Sequence, residues 1–183
     1  YALAKAAQEA GAKVTLISGP VNLECPDRIT RIKVESAEQM LAAVLDDIDN
    51  CDIFIGCAAV ADYRPAVIEN NKMKKGSSDT LSLALVKNPD IIATVGQLPN
   101  KPFTLGFAAE TQNVVEYART KLASKNLDMI AANDVSNSDI GFNSDENALT
   151  LISKDSEHKL AQTSKTKLAQ QLIERVAEQL TTA

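Results

Sequence analysis

Short apolar runs alternate with amphipathic stretches along the whole chain. Leu3, Ala6, Ala7 and Ala10 recur at helical spacing and Gly11 ends the run, which predicts a helix over 2–10. A strand follows over 14–17, closed by the turn pair Gly19-Pro20, and another over 29–34. Ser36 and Gln39 stand at capping-box spacing ahead of a buried stripe formed by Met40, Leu41, Val44, Leu45 and Ile48. Residues 52–57 make a strand with few polar interruptions, as a parallel sheet covered on both faces requires. From 63 to 80 periodicity is lost, and Pro, Asn, Gly, Ser and Lys predict a long loop.

Beyond that loop a strand is predicted over 81–86. Asn88-Pro89-Asp90 then starts a helix reaching Leu98, with Asn88 as N-cap and Pro89 at the first helical position. Strands over 103–108 and 127–132 bracket a helix that Thr111 can cap and that runs to Lys125. Residues 148–153 and 158–162 read as a hairpin, and 163–180 as a closing helix. Strands alternating with helices predict an α/β fold: a doubly wound, mostly parallel Rossmann-like sheet ending in a C-terminal antiparallel hairpin. All 183 residues read as one domain. An α/β domain rarely opens on a helix, so a first strand and loop are expected upstream of Tyr1.

Composition narrows the function little. A net charge of −5 argues against general nucleic-acid binding, which needs a dominant positive field, although a local lysine cluster can still hold a small polyanion. Cys25, Cys51 and Cys57 lack metal-ligand spacing and read as small hydrophobes in a reducing, cytoplasmic setting. No apolar run approaches the roughly 20 residues of a membrane span, so no membrane is expected. His158 is the only histidine and sits in the hairpin, which argues against histidine-based triads or metal sites. Neither GxGxxG nor a P-loop occurs.

In such sheets ligands bind beyond the carboxyl ends of the strands. Three segments leave strand ends here: 56–62, 107–111 and 132–136. Asp62 is the sole charged group among the small residues Ala58, Ala59 and Ala61, and suits a ligand contact as well as an ordinary turn. Lys72, Lys74 and Lys75 lie on the long loop, where a flap could bring charge to a bound polyanion; a solvated surface run is the plainer reading. The helix start at Asn88, Pro89 and Asp90 could offer free N–H groups to an anion, or serve only as a cap. Lys121 and Lys125 share one helical face, and Glu110 is a further carboxylate at a strand end.

These segments, taken together, carry a resemblance. Ala58-Ala59-Val60-Ala61-Asp62-Tyr63-Arg64-Pro65, Lys72-Met73-Lys74-Lys75, Lys87-Asn88-Pro89-Asp90-Ile91 and Gly106-Phe107-Ala108-Ala109-Glu110-Thr111 are in order along the chain. Lys125-Asn126-Leu127-Asp128, Ala132-Asn133-Asp134-Val135 and Gly141-Phe142-Asn143-Ser144-Asp145 continue the series. The chain resembles phosphopantothenoylcysteine synthetase, in bacteria commonly the C-terminal half of a bifunctional flavoprotein that also carries a decarboxylase.

The resemblance implies a cytoplasmic, homodimeric ligase that joins 4′-phosphopantothenate to L-cysteine through an acyl-cytidylate formed from CTP. Mg²⁺ would accompany the CTP, with metal ligands not identifiable from the residues, and FMN would belong only to a preceding decarboxylase domain. The family also implies roles. Gly56, Cys57 and Ala58 would present backbone to the nucleotide, and Asp62 would contact it near the ribose. Lys72 would be the catalytic flap lysine. Asn88, Pro89, Asp90 and Ile91 would add helix-start contacts, Phe107 would pack on the base, and Lys121 and Lys125 would reach the nucleotide. The family's Asn-x-Ser-Ser-Gly-Lys-Met-Gly loop precedes its first helix, so that loop too is expected upstream of Tyr1. Two other readings compete: an NAD(P)-dependent reductase of similar architecture, and a non-catalytic nucleotide-binding partner subunit.

Overall fold

Alternation along the central strands decides which helices cover which face of the sheet. The structure is a computed structural model describing residues 1–69, 71–74, 79–135 and 144–181. Its elements are α1 (Ala2–Glu9), β1 (Thr15–Ser18), β2 (Thr30–Lys33), α2 (Ala37–Asp46), β3 (Ile53–Gly56), β4 (Tyr63–Pro65) and β5 (Leu85–Lys87). There follow α3 (Ile91–Gly96), β6 (Phe103–Glu110), α4 (Val114–Ser124), β7 (Met129–Asp134), β8 (Glu146–Ser153), β9 (Glu157–Ser164) and α5 (Lys165–Thr181).

The main sheet has the order β3-β6-β7-β8-β9. β3, β6 and β7 are parallel, whereas β8 and β9 form the antiparallel hairpin at the far edge. β1 and β2 pair in parallel, and β4 and β5 form a separate antiparallel arm. The expected α/β fold with a C-terminal hairpin is therefore present, in a sheet of mixed direction. On one face Leu105, Met129, Ala131, Leu149 and Leu151 pack against Leu172 and Val176 of α5, with Leu3 of α1 at the margin. On the other, Ala108, Ile130, Ala132 and Ile152 meet Ala118 and Leu122 of α4 and Ile92 of α3. A third cluster joins Val44 and Ile48 to Ile91 and Val95, seating α2 beside α3. Each large side chain so buried is worth roughly 2 kcal/mol.

Local chemistry explains the element starts, including three that differ from expectation. α2 begins as predicted: Ser36 Oγ accepts from Gln39 N at 3.1 Å, and Gln39 Oε1 accepts from Ser36 N at 3.2 Å. Leu45 leaves its predicted stripe and stays exposed. α3 starts two residues later than expected. Asp90, not Asn88, is its N-cap, because the Asn88 side chain is engaged by the loop before it. β6 runs on to Glu110, which moves the start of α4 past Thr111 to Asn113, in the left-handed region at φ 48°. The strand expected over 81–86 is formed only from Leu85, and its partner comes from Tyr63–Pro65, within the expected loop. Lys75, Ser136 and Gly141-Phe142-Asn143 lie outside the described residues.

Two close approaches set the height of α3 above the sheet. A Cβ on Gly96 would lie 2.0 Å from the Lys125 carbonyl oxygen, where α3 and α4 end against each other. Asn126, at φ 53°, donates its side-chain amide to the Gly96 carbonyl at 2.7 Å and closes that junction. Gly96→Ala must push backbone apart and should cost about 2–4 kcal/mol in chemical denaturation. Gly19→Ala, with nothing within 4 Å of its Cβ, should change stability by less than about 0.5 kcal/mol.

Candidate functional site at the strand ends

The carboxyl ends of β3, β6 and β7 open on one edge of the sheet. Gly56, the last residue of β3, is in register with Gly106 of β6, so two glycines lie side by side in neighbouring strands. Ile92 of α3 rests on this patch. Its Cδ1 would stand 3.1 Å from a Cβ on Gly56 and 2.7 Å from one on Gly106. The missing side chains thus let α3 settle low on the sheet, and its first residues arrive beside the loop that leaves β3.

That loop is fastened to the start of α3 by Asn88. The Asn88 backbone N–H donates to the Asp62 carbonyl at 2.8 Å, and its side-chain amide donates to the Ala61 carbonyl at 2.8 Å. Arg64 donates to the Lys87 carbonyl at 2.8 Å and to Asn88 Oδ1 at 3.2 Å, while its other nitrogen meets Glu38 Oε1 at 2.8 Å. Asp62 itself projects an exposed carboxylate that has no ion pair among the described residues. Gly56 is half-buried, and Cys57 and Ala58 keep exposed surface next to it. Desolvation still pushes the Cys57 thiol up, so this thiol is held protonated and poorly nucleophilic.

Both helix-face lysines are tethered to acids. Lys125 Nζ lies 2.9 Å from Asp90 Oδ2, and Lys121 Nζ lies 2.6 Å from Glu110 Oε1. Asp90 uses its second oxygen to accept from Ala93 N at 3.1 Å. The helix start is therefore already occupied by a carboxylate, and the free N–H groups expected there are partly satisfied. Burial pushes the Asp90 carboxyl up, but the bonds from Lys125 and the Ala93 N–H outweigh it and hold the group below the usual value. Phe107 is half-buried and packs with the cluster beneath α5, on the face opposite to α4. Lys72 is exposed and lies in no hydrogen bond or ion pair among the described residues.

Asn133 belongs to the quoted segment Ala132-Asn133-Asp134-Val135, to which motif reasoning attached no role. It sits one residue before the end of β7, 8% exposed, and its Oδ1 is buried without a hydrogen-bond partner. An orphaned acceptor at that depth is costly unless a ligand donates to it. Only burial and bonding, which a sequence does not display, mark it out. A groove of about 630 Å³ on the α2 side reaches this cluster, lined by Glu38, Leu41, Arg64, Lys87, Asn88 and Pro89. It includes neither Asp62 nor Phe107. Among the described residues no three His, Cys, Asp or Glu side chains converge as a metal cage.

Comparison with known proteins places this geometry in context. The family model for the DNA/pantothenate metabolism flavoprotein C-terminal domain matches residues 1–180. The chain is 54% identical over 182 residues to the coenzyme A biosynthesis bifunctional protein CoaBC of Vibrio cholerae, covering 98% of this chain and 46% of that protein. It is 49% identical over 179 residues to the Escherichia coli protein of the same name, covering 96% of this chain and 44% of that one. The chain thus spans less than half the length of these relatives. A crystal structure of the C-terminal domain of CoaBC superposes with a TM-score of 0.83 at 36% identity, over 100% of this chain and 82% of the other. A DNA/pantothenate metabolism flavoprotein from Streptococcus pneumoniae shares the fold with a TM-score of 0.78 at 22% identity, over 97% of this chain and 86% of that one.

The Asp90–Lys125 pair yields a pH test. Asp90 is lowered in the folded state, so its contribution to stability stands in full above the ordinary carboxylate value. It is lost as pH falls through the lowered one. In Lys125→Met the Asp90 carboxyl should titrate at higher pH than in the wild type, read by NMR of the side-chain carbon. An unchanged midpoint would show that Lys125 does not hold it down.

Proposed function

Because the chain belongs to the DNA/pantothenate metabolism flavoprotein C-terminal domain family, we propose that it is a phosphopantothenate–cysteine ligase of coenzyme A biosynthesis that uses CTP. Asn88 carries this reading: its backbone and side chain join the loop bearing Asp62 to the start of α3 at a single strand end. A nucleotide laid across that junction meets backbone at Gly56, Cys57 and Ala58, the Asp62 carboxylate near its ribose, and the turn from Asn88 to Ile91. Phe107 borders the base. Asn133 Oδ1 accepts a hydrogen bond from the ligand, which removes its buried orphan.

A carboxylate does not react with an amine until its oxygen becomes a good leaving group. In the first step a carboxylate oxygen of 4′-phosphopantothenate attacks the α-phosphorus of CTP. The bond to the bridging oxygen breaks and pyrophosphate leaves, giving the acyl-cytidylate. The amine of L-cysteine then attacks the acyl carbon; the new C–N bond forms, CMP departs, and the amine loses a proton. Lys72 is exposed and unpaired among the described residues, which suits a group that meets phosphate oxygens only when substrate is present. Lys121 and Lys125 exchange part of their bond to Glu110 and Asp90 for the nucleotide. Mg²⁺ would accompany the triphosphate and offset part of its charge, with no residue assigned as its ligand.

We assign FMN to a decarboxylase domain where one accompanies this one, and a cytoplasmic setting to the enzyme. Among the described residues no helix is long and apolar enough to cross a membrane. A homodimer is supported by Val67, Ile68, Leu81 and Leu83, which leave apolar surface exposed on and beside the β4–β5 arm.

Calorimetric titration of the protein carrying this domain should detect Mg-CTP in preference to Mg-ATP and NADPH. Preference for NADPH would replace the ligase reading with a reductase. Lys72→Gln should leave CTP affinity within about threefold and slow single-turnover formation of the acyl-cytidylate by about 10²–10³-fold. Formation at the wild-type rate would remove Lys72 from the chemistry.

A further inference from the structure

Arg64, on β4 beside the strand-end loop, reaches three residues at once with its guanidinium. One nitrogen spans the Lys87 carbonyl and Asn88 Oδ1 at 2.8 and 3.2 Å, and the other meets Glu38 of α2 at 2.8 Å. Only a planar fork presents donors in these directions together; an ammonium is a point donor. The bond to Asn88 Oδ1 also fixes the orientation of the amide. With its oxygen held by Arg64, the Asn88 nitrogen faces the Ala61 carbonyl, where it donates at 2.8 Å.

We infer that Arg64 is a positioning residue for nucleotide binding, acting through Asn88 to lock the Asp62 loop to the start of α3, with Glu38 as its anchor. The inference rests on the nucleotide reading of this site. Stability is a poor explanation for the arrangement. The Arg64 and Glu38 side chains are 33% and 57% exposed, and an ion pair so open to water adds little to folding. Its structural effect is to remove a freedom: with the Asn88 amide free to turn over, its oxygen would face the Ala61 carbonyl and repel it. The loop and the helix start would then no longer present one surface.

The consequence is a split that a general loss of fold would not produce. Among the described residues the Arg64 side chain bonds only to Lys87, Asn88 and Glu38, so as a positioning residue its loss weakens ground state and transition state alike, which raises KM and leaves kcat in place. Arg64→Ala should raise the KM for CTP about tenfold, the scale of a lost charge-assisted hydrogen bond, with kcat within about threefold. Arg64→Lys, which keeps the charge but not the fork, should show the same split in smaller measure. Asn88→Ala should raise KM as well, and the double variant should be no worse than Asn88→Ala alone, because Arg64 acts through Asn88. Additive effects, or an unchanged KM in a folded Arg64→Ala protein, would overturn the proposal.

A readout that needs no nucleotide separates this inference from the functional reading. In native-state hydrogen exchange, the Asn88 N–H bonded to Asp62 should exchange about tenfold faster in Arg64→Ala. The Thr94 N–H, bonded to Asp90 within α3, should change by less than about threefold. Equal protection of Asn88 in both proteins would overturn the role of Arg64 whatever the nucleotide. Absence of CTP turnover in the wild type would sink the ligase reading alone, and the exchange result would still decide this one.

Discussion

The low seat of α3 on the sheet is the constraint from which the site follows. It depends on Gly56 and Gly106 lying in register, since a Cβ on Gly106 would press into both Ile92 and Leu127. At the other end of the helix Gly96 lets the same element meet the end of α4 backbone to backbone. Once α3 is pinned at both ends, the positions of Asn88 and Asp90 are set. Asn88 then gathers the loop from β3, and Asp90 gathers Lys125 from α4. Packing decides where the polar groups stand, and their hydrogen bonds decide how they are oriented.

The electrostatics follow the same division. The net charge is −5, and two of the cations, Lys121 and Lys125, stand beside carboxylates at a strand end and a helix start. Lys121 and Lys125 wait on carboxylates, which keeps them oriented and partly neutralised before a ligand arrives. Lys72 waits on none among the described residues. Tethered lysines suit binding, since their partners can be exchanged with modest net change. An untethered lysine on a loop suits a step in which charge must arrive late.

Periodicity and capping chemistry were sufficient for most elements. The Ser36–Gln39 box marks the start of α2, and the apolar run before Gly56 marks β3, which is half-buried at the edge of the main sheet rather than fully covered. What sequence logic missed was competition between partners. Asn88 has the right type for an N-cap, yet the Ala61 carbonyl and Arg64 claim its side chain, so the neighbouring Asp90 caps α3. Leu81 and Leu83 fall in the strand predicted over 81–86, but among the described residues the ladder begins only at Leu85 and both side chains stay exposed. Motif resemblance named the loop around Asp62, Asn88 and Phe107, of which the structure joins the first two, while Phe107 packs on the α5 face. It did not show that Lys121 and Lys125 are paired with acids, or that Asn133 carries a buried unmatched oxygen, because both are facts of three-dimensional contact.

The central claim is that the site activates a carboxylate with CTP before the amine takes part. Its most direct test is pyrophosphate release from CTP by the protein carrying this domain, with 4′-phosphopantothenate present and cysteine omitted. One equivalent of pyrophosphate per site, dependent on 4′-phosphopantothenate and followed by CMP release only on adding cysteine, is the expected result. Pyrophosphate release that requires cysteine from the outset, or none in a protein that binds CTP, would contradict it.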